Sequence, residues 1–463
     1  MKKHAYLVSG APGTGKTTLG LQFLLQGQKE GEPVLLVTLN ETFEQLAANA
    51  AGVGLDVGGL DVVDLAPGPD FFAKVETYDI FAPAEVEREP VTKRLVESFE
   101  KVKPTRVFVD SITQFRYLAP DHYQFRKQVM SFVDYLKRGG ATALFTSEGT
   151  TREPDDDLKF WCDGVLELRR DGYETVLEVT KRRGAPFVPG PHSYVVTAGG
   201  LHAFPRLVVE EVAAGTCEYG QLTSGIPGLD SLLGGGIERG TVAFFTGPTG
   251  VGKTSVVLSF AKSAALGGEA CLVYSFEETP QVILTRSRAL GMDLQPLVDS
   301  GKLALEHVEP LHYSPDQFWA KLRDDVARVD AKVVVIDSTN AYQLAMRGRD
   351  LQAHFHSLAR ALKNACVTTL VVEETGDIAA PLVATRQQVS HSLDTIVFLR
   401  YVEREGEIRR VVGVLKKRLS SFEPTLREFE IGPGGIRVGP PVRDLEGVLS
   451  GNPQLRKKSR DEM

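Results

Sequence analysis

Two octapeptides carry the chemistry open to this sequence: Gly10-Ala11-Pro12-Gly13-Thr14-Gly15-Lys16-Thr17 and Gly247-Pro248-Thr249-Gly250-Val251-Gly252-Lys253-Thr254. Both fit G-x-x-x-x-G-K-[ST], the loop that cradles nucleotide phosphates. Glycines let backbone N–H groups turn inward around phosphate oxygens, and the N-terminus of a following helix favours the anion. Lys16 and Lys253 have the reach to meet the β- and γ-phosphates, and the Thr17 and Thr254 hydroxyls have the place of a Mg²⁺ ligand. The candidate nucleotide-binding residues of the first copy are Gly10, Gly13, Thr14, Gly15, Lys16, Thr17 and Thr18. Those of the second are Gly247, Thr249, Gly250, Val251, Gly252, Lys253, Thr254 and Ser255.

An ATP-Mg²⁺ site of this kind needs a further acid at the end of an apolar strand. Asp110, after Arg106-Val107-Phe108-Val109, and Asp337, after Val333-Val334-Val335-Ile336, have that position. A strand-end aspartate is often no more than a cap; here it follows a P-loop in both halves. Hydrolysis also calls for a group that orients or deprotonates water, and the strand after the P-loop helix is the place for it. The second half offers Glu277 and Glu278 there, the first Asn40 and Glu41. Asparagine can orient a water but cannot take its proton. Two cationic runs, Lys181-Arg182-Arg183 and Lys416-Lys417-Arg418, follow short strands at matching places. Their recurrence suits cations that complete a neighbouring subunit's phosphate site, or a nucleic-acid patch.

The elements that position these groups alternate. Strand-like Ala5–Val8, Pro33–Leu39, Arg106–Asp110 and Thr142–Thr146 are separated by helical stretches over 18–25, 43–51, 91–102 and 125–138. The second half repeats the order, with strands over 241–246, 270–276, 332–338 and 367–374 and helices over 255–261, 280–290 and 355–364. Such alternation predicts an α/β fold with a mostly parallel sheet flanked by helices. Short alternating strands over 164–202 and 394–438 read as antiparallel additions at the sheet edge. The two loops start roughly 240 residues apart, about one large α/β domain. The domains expected are 1–213, 214–447 and a polar, disordered tail over 448–463.

Of 463 residues, 42% are hydrophobic and 24% charged, as in ordinary globular domains, and the net charge of -7 argues against a nucleic-acid-coating surface. Cys162, Cys217, Cys271 and Cys366 show no metal or redox spacing and read as reduced thiols of a cytoplasmic protein. No apolar run is long enough to span a bilayer.

At this point the chain resembles the KaiC family of RecA-like P-loop ATPases. Thr223-Ser224-Gly225-Ile226-Pro227-Gly228-Leu229-Asp230, Gly234-Gly235-Gly236-Ile237 and Arg239-Gly240 are similar to the family's lead-in to its P-loop. Phe276-Glu277-Glu278-Thr279-Pro280 resembles its catalytic glutamate pair, and Ile336-Asp337-Ser338 its magnesium aspartate. Lys416 and Arg418, like Lys181 and Arg183, match a Lys-x-Arg segment that in the family reaches the ATP of the adjacent subunit. Gly199–Pro205 and Leu449–Pro453 resemble its domain-closing and C-terminal stretches. The resemblance implies tandem RecA-like domains, ATP and Mg²⁺ as cofactors, a homo-hexamer of two stacked rings with ATP between subunits, slow ATPase activity and scope for serine autophosphorylation. Three departures stand out. The lead-in has no counterpart before the first loop, so the first half reads as trimmed or the start as misplaced. The first catalytic glutamate is Asn40 in the first half. Before Asp394-Thr395-Ile396, where the family's clock members phosphorylate a Ser-Thr pair, this chain has Ser390-His391-Ser392, leaving Ser390 or Ser392 as phosphoacceptors. Two other functions compete with the ring-forming ATPase: a RecA-like DNA-dependent ATPase or recombination factor, and a non-hydrolysing nucleotide sensor.

Overall fold

Buried apolar runs bounded by glycine and acidic residues become the strands of two sheets. In a computed structural model of the chain, residues 2–66, 83–116, 119–148, 155–172, 174–208, 217, 220–346, 350–375, 393–404, 406–443, 445–450 and 454–455 are described. The chain divides into two units, Met1–Arg206 and Leu207–Met463.

Unit one runs β1 (Ala5–Gly10), α1 (Lys16–Lys29), β2 (Val34–Thr38), α2 (Phe43–Gly52), β3 (Asp61–Asp64), α3 (Pro83–Val102) and β4 (Arg106–Asp110). It continues α4 (His122–Arg138), β5 (Thr142–Ser147), α5 (Asp156–Trp161), β6 (Gly164–Asp171), β7 (Glu174–Arg182), β8 (Pro191–Thr197) and β9 (Gly200–Phe204). Its nine strands lie in the order β3-β2-β4-β5-β1-β6-β7-β8-β9. β1 pairs in parallel with both β5 and β6, whereas β7, β8 and β9 are added antiparallel.

Unit two opens with the short ladder of β10 (Gln221–Leu222) and β11 (Ile237–Glu238), then β12 (Val242–Gly247), α6 (Lys253–Leu266), β13 (Ala270–Ser275), α7 (Pro280–Ala289) and β14 (Leu303–His307). There follow α8 (Pro315–Val329), β15 (Ala331–Asp337), α9 (Leu351–Asn364), β16 (Thr368–Glu374), β17 (Thr395–Arg404), β18 (Glu407–Lys417), β19 (Leu426–Gly432) and β20 (Gly435–Val442). The order β14-β13-β15-β16-β12-β17-β18-β19-β20 repeats that of unit one strand for strand. In both units the P-loop strand is therefore central, and the loop leaves its carboxyl end, where ligands of parallel sheets gather.

The repeats share topology but not core packing. Gly20 of α1 faces Phe108 of β4 so closely that a Cβ would stand 2.1 Å from the ring. At the matching places of unit two, α6 carries Val257 and β15 carries Val335, both wholly buried in one apolar cluster. A small–large pair in one half has become a medium–medium pair in the other, as close packing requires.

Two expectations are corrected. Cys217 and Cys366 are not reduced thiols: they form a disulfide across a sequence separation of 149, with Cα atoms 5.6 Å apart. No local spacing reveals a pair so distant. Cys162 and Cys271 are free and buried, and burial pushes each thiol up to about 12. The stretch from 448 is not all tail: Val448 is buried, its carbonyl accepts from Arg400 at 2.7 Å, and Gln454–Leu455 pairs antiparallel with Leu445–Glu446. The remainder of that stretch, with Arg456, Lys457 and Lys458, lies outside the described residues.

Candidate nucleotide site

In unit two the loop begins on the last residue of β12 and ends on Gly252, whose φ of 112° admits α6. Glycine is required there twice over, since a Cβ would also stand 2.2 Å from Ile431 Cδ1. Gly15 does the same before α1, at φ 89°. Lys253 is buried, and its Nζ donates to Gly247 O and Pro248 O, both at 2.9 Å. Burial pulls its pKa below the ordinary lysine value, against the attraction of Glu374 and Asp337. The Thr254 hydroxyl donates to Asp337 Oδ2 at 2.8 Å. Burial pushes the Asp337 carboxyl up to about 6, with Glu277 and Glu278 adding to the rise.

Unit one reproduces the arrangement. Lys16 Nζ donates to Gly10 O at 2.8 Å and Ala11 O at 3.1 Å, and Thr17 Oγ1 to Asp110 Oδ2 at 2.6 Å. Thr146 Oγ1 donates to the other Asp110 oxygen. Thr14 is tied to its loop through Ala11 O, and its carbonyl accepts from the Tyr194 hydroxyl at 2.7 Å.

The two units diverge at the next strand. Glu277 Oε1 accepts from Ser338 Oγ at 3.3 Å, one residue beyond Asp337. Burial raises the Glu277 pKa, and Glu374 raises it further. Glu278 turns the other way, to Arg286 of α7 at 2.7 Å. In unit one Asn40 Nδ2 donates to Ser111 Oγ at 3.2 Å, one residue beyond Asp110. Asn40 thus takes the place of Glu277, while Glu41 accepts from Asn49 of α2 at 3.1 Å on an exposed face, as Glu278 does from α7.

Of the cationic runs, Lys181 donates to the Lys159 and Phe160 carbonyls at 2.8 Å each and Arg183 to Phe160 O at 3.0 Å, at the C-terminal end of α5. Burial and then the neighbouring Arg418 lower the Lys416 pKa. Lys417 departs from a solvated run: its side chain is fully buried, bonded to Glu238 at 2.8 Å. Ser390 and Ser392 lie outside the described residues. Sequence reasoning missed Glu374, whose Oε1 lies 3.5 Å from Lys253 Nζ and accepts from Thr249 Oγ1 at 3.3 Å. The signal available was an acid closing the strand before the antiparallel additions in both halves, Glu148 and Glu374.

The geometry suits a magnesium nucleotide. Among the described residues the buried lysine is bonded to two loop carbonyls and lies against one carboxylate, and a threonine–aspartate pair offers the hard oxygen donors that Mg²⁺ takes. Built twice in one chain around a central parallel strand, this defines a tandem P-loop nucleotide-binding protein. The ATPase family described as KaiC matches residues 1–208 and again 222–443, and the chain belongs to that family. It is 27% identical to the circadian clock oscillator protein KaiC of Parathermosynechococcus lividus, over 96% of this chain and 84% of that one. It is 27% identical to the circadian clock protein KaiC3 of Synechocystis sp., over 99% and 92% of the two chains. The KaiC of Synechococcus elongatus is also 27% identical, over 96% and 87%. Among the described residues no helix is long and apolar enough to cross a membrane.

Proposed function

We propose that this protein is an ATP-hydrolysing, ring-forming ATPase acting in signalling or regulation, with unit two the hydrolytic half and unit one the half that mainly holds ATP. The observation that carries this reading is the matched pair Glu277–Ser338 and Asn40–Ser111, set beside matched threonine–aspartate pairs. Lys253, Thr254 and Asp337 would hold ATP-Mg²⁺ in unit two, and Lys16, Thr17 and Asp110 in unit one. Bound Mg²⁺ supplies charge neutralisation for the phosphates. Glu277 is the group that would take a proton from water; Glu278 braces α7 through Arg286. Asn40 can only donate or accept a hydrogen bond at the same place.

Lys416 and Arg418, with Lys181 and Arg183, are proposed to reach the phosphates of a neighbouring copy in a homo-hexamer. This rests on their recurrence and on the family resemblance. Serine autokinase activity, at Ser390 or Ser392, rests on the resemblance alone, and intact mass after incubation with ATP checks it. The test of the main reading is purified full-length protein with ATP-Mg²⁺, assayed together for particle mass and phosphate release. We expect assembly and slow turnover, loss of turnover in Lys253→Ala, and retention of most turnover in Lys16→Ala. Turnover that survives Lys253→Ala but not Lys16→Ala would reverse the roles of the two halves.

A further inference from the structure

We propose that Glu374 is the residue by which unit two distinguishes ATP from ADP. Its carboxylate pairs with Lys253 and opposes the extra charge of a γ-phosphate. This rests on the reading of unit two as an ATP site.

β16 lies beside the P-loop strand with Gly247 and Glu374 in register, so the side chain stands against the first loop residue. Its Oε1 accepts from Thr249 of the loop at 3.3 Å and lies 3.5 Å from Lys253 Nζ. The other two partners of Lys253 are neutral carbonyls. Of the carboxylates that act on this lysine Glu374 is the strongest, ahead of Asp337 and Glu277. The backbone around it is fastened: its carbonyl accepts from Asn340 Nδ2 at 2.9 Å, and Thr375 N–H donates to Gly247 O at 3.1 Å. A phosphate that claims Lys253 must displace the Glu374 side chain, since the strand end is held.

Charge then decides the outcome. Phosphate and carboxylate compete for one ammonium group. The competition costs more for a nucleotide that brings a γ-phosphate to Lys253 than for one that ends at the β-phosphate. Glu374 also acts on Glu277 more strongly than any other charged neighbour, so its displacement alters the field at the proposed base. In unit one the matching carboxylate is Glu148, exposed, with its charge acting on Lys16.

The test uses the full chain in a Lys16→Ala background, so that binding reports unit two, with equilibrium titrations of ATP-Mg²⁺ and ADP-Mg²⁺. Neutral Glu374→Gln should tighten ATP binding by about tenfold and ADP binding by less, an order-of-magnitude expectation for removing one nearby charge. Glu374→Asp, which keeps the charge, should leave the ATP/ADP ratio near that of the parent. The KM for ATP should fall in Glu374→Gln without a rise in kcat. A ratio unchanged in Glu374→Gln, or weaker ATP binding, in a parent that binds ATP overturns this role alone. A parent that binds neither nucleotide overturns the ATP-site reading of unit two and this role with it.

Discussion

Asn40 and Glu277 stand at one place in two copies of one site, each bonded to the serine that follows the strand-end aspartate. The difference between them is a single proton acceptor, and general-base assistance is worth about 10²–10⁴-fold. We expect Glu277→Gln to lower phosphate release by about that factor, and Glu41→Gln, whose side chain faces Asn49, to leave it near the wild-type rate. Asn40→Glu should raise the contribution of unit one, measured as phosphate release in a Glu277→Gln background. The lysines, threonines and aspartates were legible in the sequence because each is announced by its immediate neighbours. Glu277 was legible as the first of a pair, matched to Asn40, and the bond to Ser338 sets it apart in space from Glu278. Glu374 was not legible, because its partners Thr249 and Lys253 lie more than a hundred residues away and an acid closing an apolar strand has many ordinary uses.

Strand β18 ends in a lysine that behaves unlike its neighbours. Lys417 is enclosed, with Glu238 of β11 and the Leu233 carbonyl as partners, so it ties the lead-in of unit two to its antiparallel strands. Truncating one partner of a buried ion pair leaves an uncompensated charge. We expect Lys417→Ala to destabilise unit two by about 3–5 kcal/mol, read from denaturant unfolding. The pair also makes a pH signature. Burial alone would raise the Glu238 pKa, but its bonds to Lys417 and Ser420 outweigh this and hold it below the usual glutamate value. A carboxyl depressed in the folded state stabilises the fold above its unfolded pKa, and loses that contribution as pH falls through the folded value. Wild type should therefore lose thermal stability below about pH 4.5, and Glu238→Gln should lose less over the same range. No sequence pattern marked Lys417, since a lysine between two other cations looks like part of a solvated run. Helix α1 gives the complementary case. Gly20→Val drives a side chain into Phe108, an overpacking that costs about 1–3 kcal/mol or more. Adding Phe108→Val should recover much of the loss, because unit two already packs valine on valine there. Thermal melts of the single and double variants check this.

Across the described residues the order of the two nine-stranded sheets repeats strand for strand, and this much was legible from apolar strands recurring in step with the two loops. What was not legible is how the segment between the repeats is fastened. Leu207 N–H donates to Asp316 at 3.3 Å, and Cys217 is bonded to Cys366, both attachments made within unit two. A cross-link that closes a long loop restricts the unfolded chain, by about 2–4 kcal/mol in typical cases. We expect Cys217→Ser, or a thiol reductant, to lower the melting temperature of unit two while leaving that of unit one in place, followed by calorimetry. The exchange of Gly20 and Phe108 for Val257 and Val335 has a consequence for the gene as well as for the protein. Two halves so alike in plan invite recombination with each other. A crossover between a P-loop helix and its acidic strand would join valine to phenylalanine, a clash, or glycine to valine, a void. Core packing would thus penalise a crossover that separates the helix from its strand, whichever residue stands at the place of Asn40 and Glu277.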